Sequence, residues 1–356
     1  MNSQLSTLET IGAILSFKSS TDLLKEKIEN NEIDWDDIVK IGSRHLVLPT
    51  LYYRLKEKSL GHLIPEELLN YLKEIATINR NRNQSILSEV KQISLLFNKN
   101  NIDHVFLKGT ALLATNYYND IGERMIGDID VLVDIHKLQK ARILILDIGY
   151  NDSDTANSNP LQQPNPKHLP RLIRKDKMAA VEIHRKVLKN PYLHYLEPAI
   201  LLKEKRIING IPVLDPQHLL EHNILNLQMN DDGNRRNYTH FRTGYDSLVI
   251  LKKHPTINIH KDYNSPYFQN YFSIHALFFK DFNFKPISIK SKLHVQLFKI
   301  ITLYPHAKYY RSRIMLFFSL ISFLCNRVWH FLINKDYREY VIKHRKRIYF
   351  EQKSKF

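Results

Sequence analysis

Cysteine is almost missing from this 356-residue chain: Cys325 stands alone. That excludes an intrachain disulfide and any zinc site built from cysteines. Acidic residues are in deficit, 36 Asp and Glu against 52 Lys and Arg, which leaves a formal charge of +16. Anionic partners are therefore favoured, and nucleotides, nucleic acid and anionic lipid headgroups all qualify. The basic residues are spread along the chain with no RNA-binding signature among them, so no specific nucleic-acid partner is expected. The opening MNSQLSTLETIGAILSF lacks a basic n-region and a small-residue cleavage site, and a cytoplasmic protein is the expectation. Long uncharged apolar runs are lacking too. The nearest, Ile314 to Ile333, approaches the length of a bilayer span but contains Asn326, Arg327 and His330, and an arginine in lipid is costly.

What the chain does have is a dense stretch from Val105 to Asp134, VFLKGTALLATNYYNDIGERMIGDIDVLVD. Val105, Phe106 and Leu107 read as a buried strand. Lys108, Gly109 and Thr110 break it, and helix formers follow from Ala111 to Tyr118. A polar turn at 119–122 leads through Arg124 and Gly127 to a second strand, Ile129 to Val133. Asp128 and Asp130 lie two apart, so a strand sends both side chains to one face. Adjacent carboxylates beside an apolar strand repel each other and cost desolvation, and a divalent cation between them is the simplest remedy.

This arrangement resembles the nucleotidyltransferase superfamily that includes DNA polymerase β and the aminoglycoside nucleotidyltransferases. The matching features are the apolar strand, Gly109-Thr110, the helix, and Asp128-Ile129-Asp130 on the next strand. LKG, the downstream Arg124, GDIDVLV and the later EIH look closer still to a largely uncharacterised bacterial nucleotidyltransferase family. The resemblance covers roughly 30–250, with the sharp motifs confined to 107–134 and 181–185.

It implies an α+β fold, a polymerase β-like mixed sheet with helical N-terminal and C-terminal regions. It also implies Glu182 as a third acid, so that Asp128, Asp130 and Glu182 are the catalytic and metal-binding residues for one or two Mg²⁺ ions. Lys108, Gly109, Thr110 and Arg124 are the expected nucleotide-binding residues. Gly109 would let the backbone approach phosphate without a Cβ, the amides at Thr110 and Ala111 would favour anions, and Lys108 and Arg124 would neutralise the triphosphate. His184, His222 and Asp246 are possible supporting residues. The expected partners are a nucleoside triphosphate, ATP first, and an acceptor the sequence does not name.

The rest of the chain divides by composition. Residues 1–104 read as a helical region, with a long apolar stripe after Pro65. Residues 105–190 form the catalytic core, including a helix from His136 to Gly149, a loop from Asn151 to Pro170, and a hairpin through Leu172-Ile173 and Met178 to Val187. Residues 191–310 look mainly helical with one small hairpin at Ile207 to Val213, where Asn209-Gly210 is a strong turn signal. Asp215-Pro216 then starts a helix, and another runs from about Tyr238 to Lys253. Residues 311–356 hold the apolar helix and a basic tail that includes Lys343, Arg345, Lys346 and Arg347. The helix is expected to pack on the second helical region, with secondary, peripheral contact between the basic tail and the inner, anionic face of a membrane.

The function expected on these grounds is Mg²⁺-dependent transfer of a nucleoside monophosphate to a hydroxyl of a small molecule, glycan precursor or protein. A nucleic-acid-directed transferase or binder, and a catalytically silent membrane-associated scaffold, stand as alternatives.

Overall fold

The computed structural model describes residues 3–153, 167–260 and 263–343. Much of the expected loop and the basic residues beyond Lys343 lie outside them. Within this frame seven strands form one mixed sheet: β1 (His104–Phe106), β2 (Asp128–Val133), β3 (Asn151–Asp152), β4 (Leu172–Ile173), β5 (Ala180–His184), β6 (Arg206–Ile208) and β7 (Ile211–Val213). Their order is β3-β4-β5-β2-β1-β7-β6. β2 runs antiparallel to β1 and parallel to β5, and it is buried on both flanks by apolar strand residues. The architecture is α+β, as the resemblance implies.

The hairpin β6–β7 forms where Asn209 and Gly210 both adopt positive φ, the geometry a two-residue hairpin turn needs. Its destination differs from the sequence expectation. β7 pairs in parallel with β1, so this hairpin extends the one seven-stranded sheet instead of standing apart in a helical region. Local turn chemistry specifies a hairpin but not its partner strand, which is chosen by apolar burial of Ile211 and Val213.

The N-terminal helices do more than cover the sheet. The helix Glu66–Lys99 turns a polar edge toward residues 121–127 and satisfies carbonyls that a buried loop would otherwise orphan. Asn79 Nδ2 donates to Gly122 O (2.7 Å) and Arg124 O (3.0 Å), and Asn83 Nδ2 to Ile121 O (2.6 Å) and Arg124 O (2.8 Å). Arg82 donates to Ile126 O, and Thr50 Oγ1 to Glu123 O (2.8 Å). The segment that delivers Arg124 and then Asp128 is thus clamped from the N-terminal side.

The described residues up to 299 form one compact unit, and those from 300 to 343 belong to another. In the second, Pro305–Ile333 is a 29-residue helix followed by Lys335–Lys343. His306–Ile333 is long and apolar enough to cross a membrane. The periodicity predicts burial for this helix, yet Leu316, Phe317, Phe318, Trp329 and Leu332 are exposed. The described residues do not supply the apolar cover that such a surface calls for.

Candidate active site

β2 and β5 place the acids. Their parallel register sets Asp130 beside Glu182 and Leu132 beside His184, so the period-2 alternation puts Asp128, Asp130, Glu182 and His184 on one face. Ligand atoms of Asp130, Glu182 and His184 all lie within 4.8 Å of one another. This cluster of two carboxylates and an imidazole, two of them fully buried, could hold a divalent ion, and Asp128 adds hard oxygen donors at its edge.

The carboxylates are matched by bases. Lys108 Nζ lies 2.6 Å from Asp130 Oδ1, and His184 Nε2 donates to the same oxygen at 2.8 Å. Burial works against charge on Asp130, but the Lys108 ammonium and His184 outweigh it and hold the carboxyl well below the usual range. Burial likewise opposes charge on Glu182, and its hydrogen bond with His184 brings the net shift down. Asp128 goes the other way: burial raises it, only partly offset by Arg171, and the charges of Glu182 and Asp130 add to the rise.

Lys108 reaches Asp130 because the chain turns sharply at the end of β1. The Leu107 amide donates to Asp130 O at 2.9 Å, and Lys108 then takes φ +49°. A non-glycine residue there is held at a cost of roughly 1–3 kcal/mol, a kind of strain that gathers at functional sites.

Two expected nucleotide contacts have different neighbours from those the sequence suggests. A Cβ on Gly109 would collide with Arg124 Nη1 and Ile126 Cγ2, so the missing side chain makes room for Arg124. Arg124 itself is buried and paired with Asp246, Nε to Oδ1 at 2.9 Å and Nη2 to Oδ2 at 2.7 Å. Tyr118 donates its hydroxyl to the same carboxylate. Arg124 therefore has its charge matched inside the protein, and it ties the turn before β2 to the helix Phe241–Lys253. Thr110 Oγ1 donates to Asp128 O at 3.4 Å, and the Ala111 amide bonds to Leu107 O at 3.2 Å, so both act within the motif. Gly109→Ala is expected to destabilise the protein by at least the ~1–3 kcal/mol typical of an overpacked core, measured by urea titration. An unchanged midpoint would contradict this packing.

His222 is 1 % exposed, and neither ring nitrogen has a partner among the described residues. Burial first, then the charges of Lys108 and Lys167, hold it neutral, far below its ordinary pKa; Asp130 and His184 are also within electrostatic reach.

Sequence reasoning missed Arg171, His168, Lys167 and Arg242. Leu172 pairs with Val181, which sets Arg171 opposite Glu182. Its guanidinium bridges Asp128 and Glu182, the latter at 3.3 Å. His168 bridges to His184 across the same strands, with Nε2 3.8 Å from Glu182 Oε2. The available signal was alternation in the segment entering β4, weakened by its place at the end of a long loop.

The profile of one family, described as uncharacterised nucleotidyltransferase, matches residues 31–261, well over half of the chain. The chain belongs to that family. This nucleotidyltransferase has its matched region spanning the long helix, the sheet, the acids and the helix carrying Asp246. No curated protein matches it.

Proposed function

We propose that this nucleotidyltransferase moves a nucleoside monophosphate from a nucleoside triphosphate to an acceptor hydroxyl, with Asp128, Asp130 and Glu182 as its acidic centre. The observation that carries the reading is the register of β2 against β5, which sets Asp130 beside Glu182 and puts Asp128 on the same face. A divalent ion, Mg²⁺ in this proposal, would be held by these three carboxylates and would neutralise charge on the phosphates. The acceptor oxygen forms a bond to the α-phosphorus, the bond to the β-phosphate oxygen breaks, and pyrophosphate leaves.

The chain's residues supply position and charge, which is most of what phosphoryl-group transfer requires. Lys108 brings an ammonium to Asp130, where the triphosphate is proposed to approach. Glu182, whose carboxyl its hydrogen bond with His184 holds below the usual range, either completes the ion's ligand set or receives the acceptor proton. His184 holds Asp130 and Glu182 in register, and Arg171 balances Asp128 and Glu182 before substrate arrives. ATP is the first triphosphate to test.

The test is incubation with each α-labelled triphosphate, Mg²⁺ and a cell lysate. Label should pass to an acceptor with the wild-type protein and not with the Asp128→Asn/Asp130→Asn protein. Equal labelling by both would remove the reading.

The exposed apolar helix supports a further part of the proposal, peripheral attachment to an anionic bilayer from the cytoplasmic side. Lys308, Arg311 and Arg313 precede its most apolar part, and Lys335, Arg338 and Lys343 follow it. Each basic residue near an anionic surface adds about 1 kcal/mol of attraction. Truncation after Arg311 is expected to leave a soluble, folded protein that no longer sediments with anionic vesicles. Aggregation or unfolding of the truncated protein would instead assign the helix a packing role.

A further inference from the structure

The helix Ile289–Leu303 carries two apolar faces, and folding uses only one of them. Val295 and Phe298 are buried. The Phe298 ring meets Phe278 edge-on at 5.8 Å, and His294 O accepts from Asn237 Nδ2 at 2.8 Å, so this side seats the helix on the compact unit. Ile289, Leu293 and Leu297 follow at four-residue spacing on the other side, 75, 63 and 37 % exposed, with Ile287 at 68 % just before them. At about 100° per residue the row spans about 80° of the helix surface and points away from Val295 and Phe298. A contiguous aliphatic row that the core does not use marks a contact surface.

Charge decides what covers it. Lys290 and Lys292 are exposed and flank the row, one on each side. From Phe282 to Lys335 the chain has nine Lys and Arg and no Asp or Glu. A second copy docking through the same face would set lysine against lysine. A protein partner is disfavoured by composition, because interface cores favour aromatic residues and arginine and are depleted in lysine. A nucleic-acid backbone would take the lysines and leave the aliphatic row in water. An anionic bilayer answers both features, since aliphatic side chains enter the boundary between headgroups and acyl chains while lysines reach the headgroups.

We propose that the outer face of the helix Ile289–Leu303 is a bilayer contact of the compact unit itself. Ile289, Leu293 and Leu297 enter an anionic membrane surface, and Lys290 and Lys292 meet its headgroups. The proposal rests on the attachment reading for the presence of a membrane, and extends it from the helix Pro305–Ile333 to the unit that holds the acidic centre. One weak anchor gives marginal, reversible binding and stable attachment takes two. This face alone is therefore expected to fall short of sedimentation in the protein truncated after Arg311.

The test places a polarity-sensitive fluorophore on Leu293→Cys in the full chain with Cys325→Ser, so that a single position is labelled. Emission is expected to shift to the blue with phosphatidylglycerol vesicles and to stay unchanged with phosphatidylcholine vesicles. In the unlabelled full chain, Leu293→Glu/Leu297→Glu is expected to weaken binding to phosphatidylglycerol vesicles by about tenfold or more. Both positions lie outside the core, and circular dichroism with a urea midpoint checks that the fold is kept. Sedimentation of the labelled chain with no emission shift overturns the proposal and leaves attachment to the C-terminal helix. An emission shift that grows with protein concentration without vesicles assigns the face to a second copy and overturns it, as does unchanged vesicle binding by the folded double variant. A blue shift on vesicles, with the truncated protein sedimenting as well as the full chain, keeps this face and removes the C-terminal helix from the attachment. A chain that shows neither sedimentation nor shift loses both readings.

Discussion

An Asp128→Asn protein is expected to lose nucleotidyl transfer about a thousandfold or more while keeping its fold. Charge neutralisation by a metal centre is worth several kcal/mol in the transition state, and each ~1.4 kcal/mol is a factor of ten in rate. Asp128 is the acid best suited to show this cleanly. Its carboxylate is partly exposed, and burial with repulsion from Glu182 and Asp130 already disfavours its charge. Neutralising it removes repulsion and gives up an exposed pair with Arg171, so stability should move by no more than ~1 kcal/mol. Asp130→Asn should match the activity loss but also destabilise, because Lys108 would keep a charge with no partner. Rates with labelled triphosphate, set beside urea midpoints for both proteins, check the contrast. Full activity in Asp128→Asn would remove that residue from the centre.

The largest expected change in stability belongs to Asp246. Replacing it by alanine strands Arg124 and Arg242 together in a buried position and removes the acceptor of Tyr118. Breaking a buried ion pair by deleting one partner typically costs about 3–5 kcal/mol, a large share of the ~5–15 kcal/mol that holds a typical domain together. The Arg124→Met/Asp246→Leu double replacement should recover much of that loss, since the charges leave together. Urea titrations of the single and double variants measure both numbers. A cost below ~1 kcal/mol for Asp246→Ala would contradict the buried pair.

The placement of Asp128, Asp130 and Glu182 on one face was legible because strand alternation and motif order are local properties, and the β2–β5 register then brings the strands side by side. The pairing of Arg124 with Asp246 was not legible. Its partner lies 122 residues away, and nothing in the spacing of GERMIGD shows that the guanidinium turns inward beneath Gly109. Arg242 is the converse case. Its place four residues before Asp246 suggests an ordinary helix pair, and only the tertiary claim of Arg124 on that carboxylate makes it a surplus cation. Arg171 became visible only through pairing of Leu172 with Val181. For the apolar helix, composition showed that cover is needed but could not say what provides it.

The central claim is that these carboxylates bind a triphosphate together with a divalent ion, and it can be tested without knowing the acceptor. The measurement is the affinity of a non-hydrolysable ATP or GTP analogue with and without Mn²⁺, followed by the Mn²⁺ paramagnetic resonance signal. Ion-dependent binding is expected in the wild-type protein, with the signal of bound Mn²⁺ lost in the Asp128→Asn/Asp130→Asn protein. Binding of the analogue with equal affinity in both proteins, and with no change when Mn²⁺ is removed, would contradict it.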